Sequence, residues 1–195
     1  MKKHIAIIQG HPDTAPARYT RVFAEHYRNG AEAGGHTVEV IDVASLNFPH
    51  LHSKEEFEHG APPPEILRAQ EIIARANHLV VIFPLWLGDI PSILKAFFEQ
   101  TFRPGFAYSG AMDTGKFKQS LRGKSARVVV TMGMPAFVYR FYFGAHGLKN
   151  LRRNVLKFCG ISPVRESIIG LIESKDPRRR QRWLVRAEEL GRKGG

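Results

Sequence analysis

Apolar residues along the chain fall into short blocks with two kinds of spacing, separated by stretches rich in glycine, proline and charge. His4 to Gln9 is a continuous apolar run rich in isoleucine that stops at Gly10-His11-Pro12, which predicts a buried strand running into a loop. From Ala17 to Ala33 the apolar positions recur at helical spacing, and Gly34-Gly35 supplies the stop. Thr37 to Val43 alternates and is β-branched, predicting a second strand, whereas Ala44 to Pro64, with Pro49 and the Pro62-Pro63-Pro64 run, reads as a long loop. A helix from Pro64 to about Ala76 precedes a third strand, Leu79 to Phe83, and another helix follows from Pro91 to Phe102. Arg127 to Thr131 is a fourth strand broken by Gly133-Met134-Pro135. A helix over Leu148 to Phe158, a fifth strand from Val164 to Ile169 and a terminal helix from Asp176 to Arg192 complete the series.

Strands that alternate with helices predict an α/β fold with a parallel sheet covered on both faces. Such sheets take ligands at the carboxyl ends of their strands, where the strand order reverses. In the order 2-1-3-4-5 that point lies between the first and third strands. The loops after strands one and three are therefore the prime candidates for a site, with the loop after strand four beside them.

Composition changes this picture little. The 195 residues are 43% hydrophobic and 24% charged, ordinary for one folded domain with a substantial core. A single cysteine, Cys159, leaves no internal disulfide and no cysteine metal cluster; it reads as a small buried apolar residue and suits a cytoplasmic location. The longest strongly apolar stretch, Leu79 to Leu87, contains Pro84 and is too short to span a bilayer. The net charge of +11 admits nucleic acid, acidic lipid or an anionic cofactor as partners. No nucleic-acid module accompanies the densest basic cluster, Arg178-Arg179-Arg180 with Arg182, which reads as a solvated helix face.

Three loops carry candidate chemistry. The first, Gly10 to Thr20, leads into a helix start whose free N–H groups suit a phosphate, with Thr14, Arg18 and Thr20 as further donors; it carries neither a dinucleotide glycine fingerprint nor a P-loop. The second, Pro84 to Pro91, sets Trp86 and Gly88 between two stiffening prolines, which fits a planar aromatic ligand as well as it fits simple core or interface packing. The third runs from Thr131 through Gly133 to Tyr139 and His146, bringing backbone donors and two titratable side chains toward the same end of the sheet.

Taken together, these segments resemble the NAD(P)H:quinone reductase family of flavodoxin-like NAD(P)H dehydrogenases. The resemblance runs from His4 to about Gly170. It is densest in Phe83-Pro84-Leu85-Trp86-Leu87-Gly88-Asp89-Ile90-Pro91 and the following Leu94-Lys95, which is similar to the family's F-P-L-x-W-x-x-x-P-x-x-L-K flavin loop; Asn47-Phe48-Pro49 adds a further match. It implies a flavodoxin-like three-layer sandwich with a five-stranded parallel sheet. It also implies a bound flavin, FMN or FAD, that passes hydride from NAD(P)H to a quinone-like acceptor, and a homodimer; the aromatic Phe137 to Phe143 segment fits such an interface as well as it fits core packing. Carried over, His11, Arg18, Tyr19 and Thr20 would hold the flavin phosphate. Pro84, Leu85, Trp86 and Leu87 would back the ring, and Thr131, Met132, Gly133 and Met134 would meet its polar edge. Tyr139 and His146 would steady the flavin once it has accepted hydride. Arg18-Tyr19 stands where the family carries serine and phenylalanine, and Met134 where it repeats glycine. A one-electron flavodoxin carrier, a regulatory flavoprotein subunit of a potassium efflux system and a basic nucleic-acid binder are the alternative readings; the first sits poorly with the basic charge.

Overall fold

The computed structural model describes residues 2–110, 115–174 and 176–195. Strands β1 (His4–Gln9), β2 (Thr37–Asp42) and β3 (His78–Pro84) alternate with helices α1 (Tyr19–Ala33), α2 (Lys54–His59), α3 (Pro64–Arg75) and α4 (Ser92–Thr101). A two-residue antiparallel pair, β4 (Tyr108–Ser109) with β5 (Lys118–Gln119), precedes β6 (Ser125–Thr131). Next come α5 (His146–Asn150), β7 (Val164–Ile169) and α6 (Pro177–Lys193). The main sheet has the order β2-β1-β3-β6-β7, every pair parallel. With the small β4–β5 pair set aside, this is the expected 2-1-3-4-5.

The alternation of side chains along each strand divides the core in two. Ala6, Ile8, Leu79, Val81, Val128 and Val130 face α3, α4 and α5, while Ile5, Ile7, Val80, Ile82 and Val129 face α1 and α6. Both clusters are buried, so the central strands read as unbroken apolar runs. Helices α1 and α6 meet backbone to backbone. A Cβ on Gly30 would lie 2.1 Å from the Glu188 carbonyl, and one on Gly191 2.1 Å from that of Tyr27. Those two glycines bring α6 down onto α1 and so decide where its first turn emerges.

Three expectations need correction. The stretch Ala44 to Pro64 is not a plain loop: Val43–Ser45 forms a 3₁₀ turn and Lys54–His59 forms α2. The helix starts where Ser53 Oγ accepts the Glu56 N–H and Glu56 returns a carboxylate to the His52 N–H, an arrangement that the Ser-x-x-Glu spacing announces. The predicted helix over Leu148 to Phe158 begins two residues earlier as α5 and continues as a π-helical segment, Leu151–Lys157. A second π-helical segment, Val138–Tyr142, lies where no helix is expected. No helix among the described residues is long and apolar enough to cross a membrane.

Candidate active site

The adjacent strands β1, β3 and β6 end side by side, and backbone bonds knit their loops together. Gly10 N–H donates to the Ile82 carbonyl at 2.8 Å, and Leu85 N–H to that of Thr131 at 2.8 Å. Above them opens a cleft of about 740 Å³. All three candidate loops line it, within the range typical of ligand pockets.

One side is the start of α1. Its N-cap, Arg18, makes no side-chain cap, and no acid sits in the first turn, so the helix presents uncapped amides at Tyr19 and Thr20 to the cleft. Thr20 is 1% exposed and its Oγ1 has no hydrogen-bond partner. A buried hydroxyl left unpaired at a helix N-terminus suits a phosphate oxygen. Arg18 is less free than expected, because its Nε donates to Asp13 Oδ2 at 2.6 Å. Asp13 also accepts the Ala15 N–H, and these bonds hold its carboxyl below the usual range. Arg21 braces the loop from below, donating to the Asp13 carbonyl and to both oxygens of Asp42.

His11 adjoins Trp86, ring against ring edge at 6.4 Å. Its Nδ1 accepts the Asp13 N–H at 2.9 Å, which leaves the proton on Nε2. Burial lowers its pKa, so the ring stays neutral near pH 7.

The floor beyond is apolar, formed by Pro84, Leu85 and the half-exposed Trp86. Trp86 and Asp89 exchange backbone hydrogen bonds across Leu87 and Gly88, both at positive φ (47° and 82°), the geometry of a tight two-residue turn. That turn throws Leu87 fully into solvent, so Leu87 does not line the cleft as expected. Thr131, Met132 and Gly133 do. Thr131 Oγ1 is a second buried hydroxyl without a partner.

Met134 is not in the cleft wall either. Its side chain packs against the core and its carbonyl accepts the Leu171 N–H at 3.1 Å. Tyr139 and His146 lie outside the wall as well, next to the Trp86–Asp89 turn. A Cβ on Gly147, at the start of α5, would fall 2.5 Å from Asp89 Oδ1 and 2.8 Å from the Gly88 carbonyl. Tyr139 is buried, and its hydroxyl accepts the Leu148 N–H at 3.3 Å; burial raises its pKa. His146 is exposed, with its ring folded against Gly144.

The remaining wall was not expected. Ile172 and Glu173, from the loop after β7, and Arg180, from the first turn of α6, close the cleft. Glu173 reaches over Gly133, where a Cβ would meet its carboxylate at 3.4 Å.

The residues present fit a flavin. An apolar floor suits a flat heterocycle, the buried Thr131 hydroxyl with the backbone of Thr131 and Gly133 suits its polar edge, and the uncapped α1 start with Thr20 and Arg180 suits a phosphate.

An open parallel sheet of this order, with its cleft where the order reverses, defines a flavodoxin-like α/β protein. The chain belongs to the family described as flavodoxin-like fold, matched over residues 3–190. An uncharacterized NAD(P)H oxidoreductase of Haemophilus influenzae is 25% identical over 187 residues, covering 94% of this chain and 91% of that protein. The rat NAD(P)H dehydrogenase (quinone) 1 is 28% identical over 165 residues, covering 79% of this chain but only 58% of the longer rat protein. Among solved structures, an NAD(P)H:quinone oxidoreductase from Methanothermobacter marburgensis superposes with a TM-score of 0.84 at 27% identity, covering both chains completely.

Proposed function

We propose that this chain is a flavin-dependent NAD(P)H dehydrogenase that reduces a quinone or similar acceptor, working as a homodimer in the cytoplasm. The observation that carries the reading is the cleft itself: an apolar floor at Pro84 to Trp86 joined to two buried, unpaired hydroxyls, Thr20 and Thr131, at its polar margins. When bound, flavin supplies two-electron chemistry, taking hydride from NAD(P)H and passing it to the acceptor.

The chain's own residues do the rest. Tyr19 and Thr20 amides, the Thr20 hydroxyl, Arg180 and the Asp13-tethered Arg18 hold the phosphate. Neutral His11 offers its Nε2–H from beside Trp86. Thr131 Oγ1, Met132 and Gly133 orient the heterocycle edge. Tyr139 and His146 act from behind the Trp86–Asp89 turn: the buried phenol keeps its proton and sets the turn against α5, and the exposed imidazole stands at the start of α5.

The homodimer reading rests on a cluster of exposed apolar side chains beside the cleft. Phe141 and Tyr142 are 79% and 83% exposed, and Trp86, Leu87 and Phe143 are exposed with them. A patch of this kind calls for a partner, and a second copy covering it would also shield the open mouth of the cleft from water.

The test is spectroscopic. Purified protein mixed with FMN or FAD should acquire a yellow, protein-bound chromophore that NADH or NADPH bleaches without oxygen and a quinone restores. Protein that takes up neither flavin ends the reading; protein that binds flavin which no pyridine nucleotide reduces points to an electron carrier instead.

A further inference from the structure

Beside the cleft, across the loop that follows β7, lies a second hollow of about 600 Å³. Its long wall is α6. Arg179, Arg182, Trp183 and Arg186 stand three, four and seven positions apart, so they share one helix face and all line the hollow. The opposite wall carries Phe137, which is 66% exposed. The floor is stiff. Leu171, at a φ of 58°, donates its N–H to the Met134 carbonyl, and a Cβ on Gly170 would lie 2.4 Å from the Ala136 nitrogen.

The charges here are under-used. Arg186 pairs with Glu189 at 2.7 Å, but among the described residues neither Arg179 nor Arg182 has a carboxylate within ion-pair distance. The basic cluster is thus not a plain solvated face. It forms one side of a recess whose other side is aromatic. Guanidinium groups match phosphate oxygens in pairs, and flat aromatic side chains pack against purine rings. A phosphate and an aromatic ring presented together are a nucleotide.

Which nucleotide follows from position. The two hollows share a wall: Leu171 and Arg179 face this one, while their neighbours Ile172, Glu173 and Arg180 face the cleft. We propose that this recess binds the 2′-phosphoadenosine end of NADPH. Arg179 and Arg182 take the 2′-phosphate, Trp183 and Phe137 pack against the adenine, and the recess thereby selects NADPH over NADH. The inference rests on the reading of the chain as a pyridine-nucleotide-dependent flavoprotein.

Calorimetric titration of the protein, with and without flavin, uses 2′,5′-ADP as the probe, since it carries the adenosine and both phosphates but no nicotinamide. It should bind at near-physiological salt at least tenfold more tightly than 5′-AMP. Arg179→Ala and Arg182→Ala should each weaken it about tenfold, as loss of one charged hydrogen bond implies, with Arg182→Lys falling between. Arg153→Ala, an exposed cation elsewhere, should leave binding unchanged. In turnover, the two recess variants should raise KM for NADPH while leaving kcat and the KM for NADH as they are. Absence of 2′,5′-ADP binding, or binding that ignores both arginines, overturns the proposal. So does a recess that passes over the nucleotide and binds polyglutamate through the same arginines, which would mark an acidic protein partner. Because the probe contains no flavin and no nicotinamide, its binding is read independently of whether the chromophore forms.

Discussion

The Tyr19 hydroxyl donates to the Arg180 carbonyl at 3.1 Å, joining residues 161 positions apart in sequence. The contact ties the first turn of α1 to the first turn of α6. Arg180 in turn donates to the Ile172 carbonyl at 3.3 Å, so one corner of the cleft closes as a unit. Burial pushes the Tyr19 phenol up to about 12, which keeps it a donor across the working pH range. Tyr19→Phe removes only this oxygen. It should lower stability by about 1 kcal/mol and speed flavin release several-fold, read by urea denaturation and by flavin dissociation kinetics. Unchanged values for both would show that the corner holds without the bond.

Thr20→Val tests the phosphate margin. The swap keeps shape and deletes a buried hydroxyl that has no partner in the flavin-free chain. Flavin-free protein should lose no stability, because nothing is broken and a buried polar atom is removed. Flavin affinity, measured by fluorescence quenching, should drop about tenfold, and Thr20→Ser should retain most of it. A stability loss with intact flavin binding would assign the hydroxyl to the fold rather than the cofactor.

The floor and the α1 side of this cleft are legible in sequence, because buried parallel strands read as unbroken apolar runs and their loops follow at once. The opposite wall is not. Arg180 reaches the site because α6 settles onto α1 through Gly30 and Gly191, a long-range contact with no local signature, and Glu173 enters from the loop after β7. Leu87 and Met134 sit in the right loops yet point elsewhere. A turn with two positive-φ residues expels the first, and the second is drawn into the core while its backbone anchors Leu171. The π-helical segment at Val138–Tyr142 lacks the 3.6-residue periodicity that announces a helix, so the pattern of apolar positions does not show which way Tyr139 faces. Helix α2 carries a local signal of its own, the Ser53-x-x-Glu56 box, which the surrounding prolines mask.

Two acids temper the cleft's charge. Asp13 is held by Arg18, whereas Glu173 has no ion pair among the described residues and stands over Gly133. Glu173→Gln removes a like charge facing an anionic cofactor without changing size. Flavin should bind a few-fold more tightly, with the gain shrinking as salt is added and charges are screened over about 10 Å. A gain that salt leaves untouched would point to packing rather than charge.

The acid limit of the fold should be set in part by His78. This residue opens β3 at 2% exposure, with Nδ1 2.7 Å from Ser125 Oγ and Nε2 buried without a partner. Burial, with the nearby positive charges of Lys3, Arg127, Arg165 and His36, pushes its pKa down to about 3 from 6.5. The folded chain refuses a proton that the unfolded chain accepts. Stability is therefore whole above pH 6.5 and falls as pH drops from there toward 3, at no more than about 1.4 kcal/mol per pH unit. Asp42 titrates in a lower window: burial alone would raise it, but Arg21 and Ser45 hold it below 3.8, and its contribution is lost only beneath that value. His11, also lowered by burial, shares the upper window, so the comparison must be made against the parent protein. His78→Asn keeps a polar group for Ser125 and removes the titration. Urea midpoints taken between pH 7 and pH 4 should slope less steeply in the variant, leaving it about 3 kcal/mol less acid-sensitive over that interval. Parallel slopes would mean that water reaches His78 on protonation and that the fold yields locally instead of refusing the charge.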